Sequence, residues 1–229
     1  VMPGKVFSLN ETLGPRLVDR GFKPAPTFVN GEVVDTPGGG VCQIATTVYN
    51  AALLAGLEIV ERYHHSRPIP YCPAGRDATI VYGGADLKFR NNLKHPILIL
   101  SHVTANRLYV RIVGHHEDKV QVQLIRQGIK RIDFKRKEVP DPELPPGKKV
   151  VEKKGRRGLK VTLIRVIRYP DGTEKRQVMH TDVYPPQTEI VRVGVAKPQG
   201  AQAGGGAAEG QAAKETGAGS GKARAGQGE

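Results

Sequence analysis

Cys42 is the residue of this chain best placed to act as a nucleophile. It follows the run Gly38-Gly39-Gly40-Val41, and glycines at that density let a backbone turn sharply. Behind it, Ile44, Ala45, Val48, Tyr49, Ala52 and Ala55 recur at helical spacing. The thiol is therefore expected at the start of a helix running from about Cys42 to Ala55, closed by Gly56. Unpaired N–H groups and the helix dipole favour a thiolate there and lower its pKa. The same N–H groups and the glycine backbone can receive an oxyanion.

A histidine and an acid complete the set: Cys42 as nucleophile, His65 as base, and Asp77 or Asp86 as the acid that orients the imidazole. A cysteine at a helix start, with a histidine and an acid on following strands, is the arrangement of papain-like and transglutaminase-like thiol enzymes, an analogy at the level of fold. In this reading the chemistry is acyl transfer or hydrolysis at an amide. The competing reading makes Cys42 a small buried apolar residue in a tight turn, with His65 and Asp77 hydrogen-bonded to hold a sheet. Cys42 and Cys72 are also expected either to pair in an oxidising compartment or to stay free. No metal is expected, because Cys42, His64, His65 and Cys72 lack paired zinc-ribbon spacing. No other cofactor is expected: the glycine run lacks the Gly-Lys-Ser/Thr ending of a phosphate loop. His115-His116 after Gly114 reads as a polar turn.

Around the helix, short β-branched or alternating runs predict strands at Leu57–Tyr63, Asp77–Tyr82, Ile97–Val103, Leu108–Val113 and Val120–Arg126. The expected fold class is α+β, one central helix packed on a mostly antiparallel sheet. Prolines crowd residues 137 to 147 and predict a semi-rigid connector or the extended entry to a second module. Beyond it, Leu159–Tyr169, the turn Pro170-Asp171-Gly172, Gln177–Val183 and Ile190–Val193 predict a small all-β unit built on a hairpin. From Lys197 the chain turns to Gly, Ala, Gln, Lys and Glu, the composition of a disordered tail. The expected domains are thus 1–132, 133–196 and a tail at 197–229.

The net charge of +13 and pI near 9.9 favour polyanionic partners. Basic residues cluster at Lys130-Arg131, Lys135-Arg136-Lys137, Lys148-Lys149, Lys153-Lys154 and Arg156-Arg157, as a binding surface or as a solvated face. Nucleic acid is not the expected partner: no finger or helix-turn-helix spacing is present, and no basic region interleaved with aromatics. No apolar run reaches the roughly 20 residues that span a bilayer. The chain opens at Val1 on domain-like sequence, so an export signal or membrane anchor is expected ahead of it.

The stretch Thr36-Pro37-Gly38-Gly39-Gly40-Val41-Cys42-Gln43-Ile44-Ala45-Thr46-Thr47-Val48-Tyr49-Asn50 resembles the VanW-like proteins. The resemblance takes in Gly4-Lys5-Val6-Phe7-Ser8-Leu9-Asn10, Glu61-Arg62-Tyr63-His64-His65-Ser66, Tyr71-Cys72-Pro73-Ala74-Gly75-Arg76-Asp77 and Asp86-Leu87-Lys88-Phe89-Arg90-Asn91. It implies a bacterial protein of the cell envelope, outside the cytoplasm, tied by name to vancomycin-resistance accessory genes. The motif has Cys42 but usually an apolar residue where Cys72 stands. Gly155, Gly158, the strand Lys160–Tyr169, Asp171-Gly172 and Val191-Arg192-Val193-Gly194 resemble the five-glycine (G-five) extracellular domain. That implies docking on peptidoglycan or another anionic wall polymer through N-acetylglucosamine-containing glycan. Tyr169 and Tyr184 are the aromatics there that could stack on a sugar or simply pack.

Overall fold

The structure, a computed structural model, describes residues 1–29 and 32–196. The first stretch runs β1 (Val6–Ser8), α1 (Leu9–Leu13), β2 (Pro24–Val29), β3 (Glu32–Pro37) and α2 (Val41–Leu54). Then come β4 (Glu58–Glu61), β5 (Lys88–Arg90), β6 (Leu98–Val103) and β7 (Leu108–Val113). The second stretch holds β8 (Gln121–Ile132), β9 (Arg136–Asp141), β10 (Lys149–Lys153), β11 (Gly158–Arg168), β12 (Glu174–Tyr184) and β13 (Glu189–Gly194). Helices are few and the sheets mostly antiparallel, so the expected α+β class describes the molecule.

The amphipathic spacing read from the sequence is what buries α2. Ala45, Tyr49, Ala52 and Leu53 are fully enclosed and Val48 nearly so. They share a core with Leu57, Leu87 and Phe89 from the antiparallel sheet β1-β5-β4 and its approaches. Each large aliphatic side chain so enclosed contributes about 1.5–3 kcal/mol over its exposed state. The helix ends where Gly56, at φ 74, lets the chain reverse. The Gly56 and Leu57 N–H groups then donate to the Leu53 and Ala52 carbonyls at 3.1 Å each.

The other wall of that core comes from the second stretch. Strand β11 pairs antiparallel with β12 on one side and β8 on the other, and its Leu163 joins the α2 core, fully buried. Arg165, on the same strand, stays 3% exposed. It is tolerated because its guanidinium donates to the Leu57 carbonyl at 2.6 Å and to Gln177 Oε1 at 2.8 Å. Val120–Arg126, read from sequence as the last strand of the first unit, is the start of β8. It extends to Ile132 along β11.

Two other segments sharpen or correct the expectation. In the proline-rich stretch 137–147 the extended-entry reading, not the connector, describes the first part. That part belongs to β9, which runs parallel to β13 with Pro140 opposite Val193, and as the outer strand of the order β10-β13-β9 it can carry a residue with no N–H. Asp77–Tyr82 forms no sheet strand, only a bridge from Thr79 to Tyr63, because its backbone is taken up by side chains of α2. The tail expected from Lys197 onward lies outside the described residues.

Candidate active site

The residues Cys42, Thr46 and Asn50 recur every fourth position and form a polar stripe on α2. The extended segment 76–80 lies along this stripe. Thr46 Oγ1 donates to the Ala78 carbonyl at 3.0 Å and accepts from the Ala78 N–H at 3.1 Å. One turn further on, Asn50 donates to the Arg76 carbonyl and accepts from the Arg76 guanidinium, both at 2.8 Å. This docking fixes where Asp77, Thr79 and Ile80 stand relative to the thiol.

Cys42 is the second residue of α2, behind the cap residue Gly40. Its sulfur lies 3.1 Å from Thr79 Oγ1 and 3.8 Å from the Ile80 carbonyl, and His65 stands close enough to lower its pKa. Just ahead of the helix, Gly39 packs closely on the backbone of residue 25: a Cβ there would run into the Ala25 carbonyl. Asp77 Oδ2 accepts from the His65 backbone N–H at 2.8 Å and lies 2.7 Å from Nδ1 of the same ring. With Nδ1 so engaged, Nε2 is the ring atom left for the thiol, and the Tyr71 hydroxyl stands 3.3 Å from it. Of the two acids considered, Asp77 is thus the partner of His65. Asp86 instead accepts from Ser8 Oγ at 2.6 Å and from the Asn10 N–H at 2.9 Å.

The electrostatics follow from burial and these bonds. Burial alone would push the Cys42 thiol up, but hydrogen bonds from His65 and Thr79 outweigh it and leave the thiol below its ordinary value. Burial would depress His65, yet the bonds to Asp77 and Cys42 lift it to about 9. Asp77 is fully buried, which alone would raise it. The His65 ring and backbone, Tyr184 and the Arg62 charge hold it below the usual carboxylate range. The three shifts run in the same direction, each favouring the charged form of its group: thiolate, imidazolium and carboxylate.

Several contributors were not legible in advance. Arg62 spans from Asp77 at 3.3 Å to Asp182 at 2.7 Å, and Tyr184 donates from β12 to Asp77 Oδ1. Tyr184, considered a sugar-stacking residue, is fully buried, so its ring has no face to offer a ligand; Tyr169 is 38% exposed. Cys42 and Cys72 are both free thiols. Burial pushes the Cys72 thiol up, which separates it chemically from Cys42. His64 turns its Nδ1 to the His65 carbonyl at 2.6 Å. His116 opens a short 3-10 turn, His116–Asp118.

Residues 1–113 match the family described as VanW like protein, and residues 126–196 match the G5 domain. The chain is 48% identical over 99 residues to YoaR of Bacillus subtilis, covering 43% of this chain and 33% of that protein. It is 33% identical over 97 residues to the vancomycin B-type resistance protein VanW of Enterococcus faecalis, covering 40% and 35%. It thus spans about a third of the length of these curated relatives. Among solved structures, an IgA1 protease G5 domain is 26% identical and covers 34% of this chain and 95% of that one, with a TM-score of 0.27. Among the described residues no helix is long and apolar enough to cross a membrane.

Proposed function

We propose that this chain, a VanW-like region followed by a G5 domain, is a thiol-dependent acyl transferase or hydrolase of the bacterial cell envelope acting on amide bonds of wall peptides. The observation that carries the reading is the His65 ring held by Asp77 at 2.7 Å, with the Cys42 sulfur, whose pKa His65 lowers, at the start of α2. The thiolate of Cys42 adds to the amide carbonyl, and the oxyanion that forms faces the Cys42 N–H, since the Val41, Gln43 and Ile44 N–H groups already donate to the Gly38 and Gly40 carbonyls. The His65 imidazolium gives its proton to the departing amine as the C–N bond breaks, leaving a thioester on Cys42. Water or a second amine then attacks the thioester, with His65 taking the incoming proton and the thiolate leaving. Asp77 keeps the ring oriented and stabilises its charged form without itself changing protonation.

A wall peptide is favoured as substrate because one relative is named for vancomycin resistance and because the G5 region puts exposed lysines, among them Lys148, Lys149 and Lys153, beside the same chain. In this reading the basic module holds the protein on anionic wall polymer while the thiol acts. Two measurements test it. Iodoacetamide at neutral pH is expected to label Cys42 ahead of Cys72, and mass spectrometry of the protein mixed with muropeptides is expected to find an acyl adduct on Cys42 that is lost in Cys42→Ser. A Cys42 that reacts only once the protein is unfolded overturns the enzyme. Failure to co-sediment with purified sacculi at low salt overturns the docking.

A further inference from the structure

We infer that the second module is part of the thiol site itself: Tyr184 and Asp182, both on β12, are positioning residues that hold Asp77 against His65. This rests on the proposed acyl chemistry. Asp77 has no access to water, so each of its oxygens must find donors within the protein. Oδ2 is occupied by the His65 N–H and Nδ1. For Oδ1 the donors are the Tyr184 hydroxyl and, at 3.3 Å, Arg62. The Tyr184 oxygen is aimed in turn, because the Gly75 N–H donates to it at 2.8 Å and leaves its proton for Asp77. Residues of the second module thus decide how a carboxylate of the first module is turned.

Asp182 acts one step further back. It is 2% exposed and takes the Arg62 guanidinium at 2.7 Å and His180 Nδ1 at 3.1 Å. His180 Nε2 meets the Tyr49 hydroxyl on α2 at 2.8 Å, so the cluster reaches back into the helix that carries Cys42. Arg62 thereby divides its charge between two carboxylates rather than neutralising Asp77. Without Asp182, the full positive charge of Arg62 would bear on Asp77 and oppose the imidazolium. The groups facing His65 directly are Asp77, Cys42, Tyr71 and His64. Arg62, Tyr184, Asp182 and His180 form the layer behind them.

The test uses the full chain and follows turnover against pH together with melting temperature. Asp182→Asn is expected to bring the alkaline limb, set by His65, down by about one pH unit. Tyr184→Phe keeps the ring that packs on Val161 and Ala74 and is expected to lower kcat about tenfold with KM unchanged. Thr181→Val is the control. It removes a β11–β12 hydrogen bond, Thr162 to Thr181 at 2.8 Å, that does not touch Asp77, and it should leave both the limb and kcat in place. Tyr184→Phe and Asp182→Asn that lower the melting temperature like the control, with no change in kcat or limb, overturn the inference while the thiol enzyme stands. A wild-type chain without turnover and with an inert Cys42 overturns both.

Discussion

Of the three histidine–aspartate pairs among the described residues, two are built to nearly the same local plan. In one, Asp77 Oδ2 accepts from the His65 N–H at 2.8 Å and meets Nδ1 at 2.7 Å; in the other, Asp118 Oδ2 accepts from the His95 N–H at 3.1 Å and meets Nδ1 at 2.9 Å. Their surroundings differ. The side chains of His65 and Asp77 are 16% and 0% exposed, those of His95 and Asp118 are 35% and 9%. Behind Asp77 stand Arg62 and Tyr184, and beyond His65 stands a thiol at a helix start. Behind Asp118, among the described residues, stand the Lys94 and His95 backbone N–H groups, and His95 stacks on His115 at 4.0 Å. A His–Asp pair is therefore common structural currency here. Burial, a second layer and a nucleophile on the free ring nitrogen are what give one of them a chemical role.

The largest expected contrast comes from removing each acid. Asp77→Asn should cost on the order of a thousandfold or more in kcat, as loss of the orienting acid does in serine hydrolases. Asp118→Asn should leave turnover within twofold, since nothing reactive sits on the other side of His95. Equal effects on turnover from the two substitutions would erase the distinction. Next comes pH. Because His65 is raised to about 9, its imidazolium persists through neutrality and is lost only as pH climbs past that value. Cys42 is lowered, so the thiolate persists on the acid side below the ordinary thiol range. Turnover is expected to show a bell with its alkaline limb near 9, unchanged in Asp118→Asn. An alkaline limb near the free-imidazole value would mean that His65 is not held by Asp77 in solution.

How much of this difference could be read from the chain depends on its range in sequence. The start of α2 was legible because glycines and a helical period are adjacent features, and the observed start at Val41 lies one residue from the expected one. His65 and Asp77 are legible as residue types, with Asp77 ahead of Asp86 only by its order along the chain; what places Asp77 in space is the stripe Cys42, Thr46 and Asn50, which clasps residues 76–80. That stripe has a four-residue period visible in the sequence. That period alone does not signal docking, because polar residues on a helix usually face water. Tyr184, Asp182 and Arg62 were out of reach, since what joins them is a contact across more than a hundred residues, with separations of 107 for Tyr184–Asp77 and 120 for Arg62–Asp182. Aromatics in a presumed binding module invite a ligand reading that only burial corrects. The same limit explains β8: local alternation marks a strand but not the neighbour it pairs with.

The helix start beneath one pair and not the other gives the third contrast. A side chain at Gly39 would meet the Ala25 carbonyl, whereas one at Gly40 meets nothing within 4 Å. Gly39→Ala should therefore destabilise the fold by about 1–3 kcal/mol in urea unfolding and slow Cys42 alkylation, as the turn shifts the sulfur. Gly40→Ala, at a cap position with ordinary φ, should cost only a few tenths of a kcal/mol. Equal losses at both positions would show that the close approach of residue 39 to Ala25 does not hold the thiol in place.

The smallest expected effect isolates the hydrogen bond that only the Cys42 pair possesses. Thr79 Oγ1 lies 3.1 Å from the Cys42 sulfur and helps to keep the thiol low, second to His65 among the groups that do so. Thr79→Val preserves shape and removes the hydroxyl, so the imidazolium alone must hold the thiolate. The acid limb of iodoacetamide labelling should move up by a few tenths of a pH unit, with a rate loss of two- to fivefold at pH 6, roughly what one neutral hydrogen bond supplies. The alkaline limb should stay where His65 sets it, because Thr79 does not touch the ring's partner Asp77. If both limbs moved together, Thr79 would be acting through the placement of the 76–80 segment rather than on sulfur, and the thiolate would owe its stability to the histidine and the helix start.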